Sequence, residues 1–108
     1  MSDIIIIGDK DSCLGFKSIG FDTYMVQDGD LESQIEGINK IFRKEYKIIF
    51  LTENIYKSHQ ELIEQLTQNR LYPIAVAIPS VRGRESYSEK IIQNLVVKAL
   101  GGSFLDEK

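Results

Sequence analysis

A single cysteine, Cys13, and a single histidine, His59, leave several kinds of chemistry without their residues. One thiol cannot close an internal disulfide, and nothing else points to an oxidising compartment. A lone histidine with no second histidine or cysteine beside it does not supply a metal set, and no catalytic triad can be built around it. Long apolar runs are missing as well. The four isoleucines at positions 4–7 are far too few for a signal peptide or a membrane span, and no basic residue precedes them, so a cytosolic chain is expected. Net charge is −3 with acids and bases interspersed, which gives no electrostatic case for nucleic acid.

What remains is a chain of 108 residues, 43% hydrophobic and 27% charged, enough for one domain with its own core. It is organised around residues 3–16, DIIIIGDKDSCLGF. A continuous β-branched run is the pattern of a strand buried on both faces, as inside a parallel sheet. Ser12 is placed to cap a short helix over 13–19, which Gly20 ends. An imperfect alternation over 21–27 predicts a half-exposed strand, and Asp28-Gly29 a turn.

From Asp30 to Glu45 the residues Leu31, Ile35, Ile38 and Phe42 recur at helical spacing, with Ile41 widening the stripe and Gly37 interrupting it tolerably. Residues 47–52, KIIFLT, form another buried strand. Asn54 is the expected cap of a third helix with Ile55, His59, Leu62, Ile63 and Leu66 on one face. Residues 72–78, YPIAVAI, make a fourth strand, bracketed by Pro73 and Pro79. After a loop, a last helix covers 88–100, and Gly101-Gly102 ends it.

Strand–helix repeated four times predicts an α/β fold with a parallel sheet. The most continuously apolar strands, the first and third, belong in its middle, and the polar second strand at an edge. The expected order is 2-1-3-4, a small flavodoxin-like (Rossmann-like) sheet flanked by helices. Residues 1–80 form the sheet domain. Residues 81–108 add a loop, helix and tail, either packed in that domain or acting as a mobile arm.

The loop after the first strand lies where open α/β sheets usually bind ligands. It lacks the glycines of a dinucleotide fingerprint or a P-loop, and Asp9 and Asp11 would repel phosphate. A receiver-type phosphoacceptor is excluded because the third strand runs into Leu51-Thr52-Glu53, with no aspartate, and no fifth strand follows. Cys13 stands too far past the strand for a phosphocysteine carrier, and next to acids that raise its pKa. Asp9, Asp11 and Ser12 read as a loop-and-cap network. His59 reads as a solvated or hydrogen-bonded helix residue.

The last helix carries more apolar surface than one stripe requires: Ile91, Ile92, Leu95, Val96, Val97, Ala99 and Leu100, followed by Phe104 and Leu105. Two readings stand. A small domain buries both sides in part, or the helix docks on another protein.

Three blocks bear on that choice. Ile7-Gly8-Asp9-Lys10-Asp11-Ser12 with Gly15-Phe16 and Ile19-Gly20-Phe21 opens the chain, residues 48–53 (IIFLTE) follow, and residues 73–80 (PIAVAIPS) with Gly83 close the set. In this order the chain resembles the F subunit of the V/A-type rotary ATPases. Gly83-Arg84-Glu85 departs from that family's common acidic-glycine loop. The resemblance implies a non-catalytic rotor-stalk subunit with no cofactor and no metal. It would sit beside the D subunit of the central stalk and beneath the hexamer of A and B subunits, peripheral on the cytoplasmic face of the membrane, with a mobile, regulatory terminal helix. Arg82, Arg84, Ile91, Leu95, Val96, Leu100, Phe104 and Leu105 are the expected partner-interface residues. The competing expectation is a flavodoxin-like module that binds a small ligand or anion at the loop 8–12; a phosphocysteine carrier comes last.

Overall fold

The computed structural model describes residues 3–26, 30–80 and 88–105, the last five as backbone. Four parallel strands, β1 (Ile4–Gly8), β2 (Asp22–Met25), β3 (Ile48–Thr52) and β4 (Ile74–Ile78), form one sheet in the order β2-β1-β3-β4. The two strands with unbroken apolar sequence are the central ones, because only they lose both faces to packing. Period-two alternation sends Ile5, Ile7, Ile49 and Leu51 to one face and Ile6, Ile48, Phe50 and Ile78 to the other.

The first face is covered by α2 (Leu31–Arg43), α3 (Glu53–Ser58) and α4 (Gln60–Thr67), the second by α1 (Lys10–Ser18) and α5 (Glu89–Leu105). On the second face Phe16 of α1 lies against Phe50, ring centroids 5.3 Å apart and tilted, an arrangement aromatic pairs favour.

The helix ends show where local chemistry decided the register. Helix α1 starts three residues earlier than expected. Asp9 is its cap, accepting from the Ser12 amide at 3.3 Å and the Ser12 hydroxyl at 2.7 Å. Ser12 is therefore the partner of the cap and not the cap. At the other end Gly20 has φ +91°, its N–H donates to the Lys17 carbonyl, and the Phe21 N–H donates to the Phe16 carbonyl. That bond pair with the accompanying Phe16–Phe21 ring contact is a Schellman stop. Nothing lies within 4 Å of where a Gly20 side chain would be, so the constraint is purely the backbone. Gly20→Ala is expected to cost about 1–2 kcal/mol, read as a lower urea midpoint with unchanged slope.

Asp30 caps α2 as expected, accepting from the Ser33 amide and hydroxyl. The buried face of that helix is rotated from the expected stripe. Gln34, Gly37, Ile38, Ile41 and Phe42 are buried, whereas Leu31 and Ile35 are exposed. Gly37 is the pivot: a Cβ there would overlap the Tyr24 ring, so its absence lets β2 and α2 close together.

The expected third helix is two helices, broken at His59. Asn54 is not its cap; Thr52 occupies that position without a side-chain cap bond, and Asn54 Oδ1 accepts from the Ser80 hydroxyl at 3.2 Å. The fourth strand begins at Ile74 and not at Tyr72. Helix α5 runs through Gly101 and Gly102 to Leu105 and does not stop at them. Two glycines cost a helix about 1 kcal/mol each relative to alanine, which weakens it without forbidding it.

Candidate functional site

At the carboxyl ends of β1 and β3, Gly8 and Thr52 lie side by side, both buried. A Cβ on Gly8 would come 2.6 Å from Thr52 Cγ2, so the glycine is needed for strand packing. The Thr52 hydroxyl has no hydrogen-bond partner among the described residues.

Past Gly8 the Ser12 amide and the Ser12 hydroxyl both donate to the Asp9 carboxylate. A negative charge already occupies the position an anion would take at the start of α1. Cys13 is buried beneath this turn, and its thiol donates weakly to the Gly8 and Tyr24 carbonyls at 3.7 and 3.9 Å. Burial first, and then the Asp9 charge, push its pKa up to about 11. A thiol buried this way and held that high stays protonated at neutral pH, as a packing cysteine does.

His59 is buried at the break between α3 and α4, and its Nε2 lies 2.8 Å from Gln34 Oε1 on α2. An amide oxygen only accepts, so Nε2 carries the proton and donates. Residue spacing gave no hint of this bond, because the partner is a glutamine 25 positions away on another helix. Burial holds the His59 pKa below its ordinary 6.5. The unfolded chain therefore takes up a proton that the folded one resists. The stabilisation is complete above pH 6.5 and is lost as pH falls through the folded pKa. Against His59→Gln, the native chain is expected to lose up to about 1.4 kcal/mol per pH unit below that point, measured by urea unfolding across pH 7 to 5.

The remaining candidates lie on α5. Its first turn is held by Ser88, whose hydroxyl accepts from the Ile91 amide at 3.3 Å. Ile92 is fully buried among Ile6, Phe16, Ile48, Phe50 and Ile78. Leu95, Val96, Ala99 and Leu100 pack beside it, only partly buried. At 100° per residue these five form the inward stripe, and Ile91 and Val97 flank it on opposite sides, 49% and 67% exposed. Of the expected interface residues, Leu95, Val96 and Leu100 thus lie on the docked face and Ile91 on its margin. Phe104 and Leu105 fall in the last turn, and Arg82 and Arg84 lie outside the described residues. Val97, the most exposed large apolar residue described on the helix, belongs with Ile91; both flank the same stripe, a signal the spacing already carried.

No helix among the described residues is long and apolar enough to cross a membrane.

Comparison with known proteins gives one consistent answer. The family model of the ATP synthase (F/14-kDa) subunit matches residues 4–96. The V-type ATP synthase F subunit of Clostridium perfringens is 36% identical over 100 residues, covering 93% of this chain and 92% of the relative. That of Fusobacterium nucleatum is 33% identical over 105 residues, 97% of each chain. The A-type ATP synthase F subunit of Methanothermobacter thermautotrophicus is 30% identical over 101 residues, 93% of each.

Proposed function

The chain belongs to the ATP synthase (F/14-kDa) subunit family, and from that premise we propose that it is a non-catalytic subunit of the central rotor stalk. In this reading it binds the stalk's D subunit, lies beneath the A and B subunits of the hexamer, and couples ATP hydrolysis or synthesis to cation transport. It is held to the cytoplasmic face of the membrane through the complex. The terminal helix is the regulatory element, an arm that leaves the sheet to meet the hexamer.

One observation carries the reading. Among the described residues, helix α5 is fastened to its own domain by a single fully buried side chain, Ile92, while four neighbours are only partly covered and two more apolar residues face outward. Full burial of one isoleucine is worth about 1.5–3 kcal/mol and each partly buried neighbour adds a fraction of that, a docking that a competing protein groove of similar apolar area can match. The inward stripe and its two flanks then serve two partners in turn, which accounts for apolar surface beyond the needs of one face. The rival reading, an anion-binding module at the loop 8–12, draws no support from a helix start filled by Asp9.

The test is assembly from purified parts. Mixed with the D subunit at micromolar concentration, the full chain is expected to co-elute as a stoichiometric complex on gel filtration. Independent elution of the two proteins sinks the stalk assignment.

A further inference from the structure

The opposite end of the sheet, at the amino ends of the strands, carries an open cleft of about 680 Å³ whose lining includes no described residue of the terminal helix. Four cations line it from two separate segments: Arg43, Lys44 and Lys47 between the end of α2 and β3, and Arg70 in the α4–β4 connection. Two carboxylates, Asp3 and Glu45, share the lining. Among the described residues the ion pair here is Lys47–Asp3, a loose contact at 4.0 Å between exposed side chains. Arg43, Lys44 and Arg70 are exposed and pair with no carboxylate among the described residues. In a chain of net charge −3, a local excess of two positive charges is a departure from the rest of the surface.

Helix-dipole complementation accounts for Arg43 in the last turn of α2, but Lys47 and Arg70 belong to no helix. The cleft is also not merely wet surface. Tyr72 is half-buried in its wall and Pro73 is buried. The wall residue Tyr46 is buried and fixed, its hydroxyl donating to Asp22 Oδ2 at 2.6 Å; burial first, and then this bond, push its pKa up to about 12. Leu71, next in the chain to Arg70, is 60% exposed. Cations are therefore interleaved with rigid apolar and aromatic surface.

We propose that this cleft is a docking surface for an acidic segment of a partner protein, separate from the α5 surface. Charge complementarity selects the occupant. Asp3 and Glu45 stand among the cations, and Arg43 and Lys44 bring the carbonyl end of α2 to the same lining, which disfavours a compact dianion. A run of carboxylates on a polypeptide pairs with these cations while its apolar residues lie on Tyr72. Exposed pairs of this kind set attraction and specificity more than tightness, so binding is salt-sensitive.

The experiment uses the full chain and a dye-labelled decapeptide of alternating Glu and Ala, followed by fluorescence anisotropy at low ionic strength. Saturable binding is expected. Arg43→Glu with Lys44→Glu and Arg70→Glu should weaken it about tenfold or more, and Glu45→Lys should tighten it severalfold. Lys10→Glu with Lys17→Glu, a charge change on α1, should leave affinity close to native beyond the loss common to any added negative charge. All the substituted residues are exposed, so thermal midpoints should stay near that of the native chain. No saturable binding up to about 1 mM peptide overturns the proposal, as does a cleft reversal no weaker than the α1 control. Displacement of the peptide by inorganic phosphate, where chloride of equal ionic strength does not displace it, also overturns it in favour of a free-anion site.

Discussion

Ile92→Asp is expected to release α5 from the sheet. The substitution puts a carboxylate among Ile6, Phe16, Ile48, Phe50 and Ile78, an apolar cluster among the described residues, and an uncompensated buried charge costs about 3–5 kcal/mol. The substitution also removes the one fully buried anchor, so the four partly buried neighbours must offset that penalty alone, and the helix leaves before the carboxylate is buried. Hydrogen exchange is the direct measurement. Amides of residues 89–105 should exchange at rates close to those of an unfolded segment, while those of the central strands β1 and β3 remain protected. Val97→Asp, at a position already 67% exposed, should change stability by no more than about 0.5 kcal/mol and leave both sets of amides as they were. If Ile92→Asp instead collapses protection across β1 and β3 together, α5 is part of the core and an arm that moves is the wrong reading.

The same variant bears on regulation. In an assembled ATP synthase, a permanently undocked α5 should shift ATP hydrolysis to the level set by the extended helix, whichever direction that is. An assembled complex whose ATPase rate and nucleotide dependence do not respond to Ile92→Asp removes the regulatory role from this helix, while leaving the stalk assignment to the binding test with the D subunit.

How far the fold can be read from residues alone depends on whether the deciding interaction is local. The central strands announce themselves because burial on both faces demands an unbroken apolar run, and β2 declares its edge position by its polarity. Asp30 and Gly20 are legible for the same reason: cap and stop are made within a few residues. The start of α1 is ambiguous because Asp9 and Ser12 are both capping types three residues apart, which permits two registers. The rotated face of α2 and the break at His59 depend on Tyr24 settling on Gly37 and Gln34 reaching His59, contacts that close only when the helices pack. The basic cleft is of this second kind, since residue 70 joins residues 43–47 through the fold.

Gly8 stands in the sequence as the glycine of a candidate ligand loop, and its substitution separates that role from packing. Gly8→Ala should lower stability without any ligand present, because the new methyl would lie 2.6 Å from Thr52 Cγ2 with little room to relax. Gly8 is registered against Met25 on one side, its carbonyl accepts from the Val26 amide, and Thr52 is fully buried between β1 and β4. Overpacking of this sort costs about 1–3 kcal/mol, which for a domain of this length lowers the thermal midpoint by roughly 5–20 °C. The companion substitution Thr52→Ser deletes the offending γ-carbon. In the Gly8→Ala background it should recover stability, with a coupling of about 0.5–3 kcal/mol between the two positions. Thr52→Val keeps that carbon and should not rescue. Made alone, Thr52→Val should instead stabilise by roughly 1 kcal/mol or more, because it removes a buried hydroxyl that has no partner among the described residues. Urea unfolding of the full cycle gives all four values. Additive effects of Gly8→Ala and Thr52→Ser would mean that the two side chains do not meet. The glycine would then be free of Thr52, and a ligand approaching its backbone would again be the better reason for it.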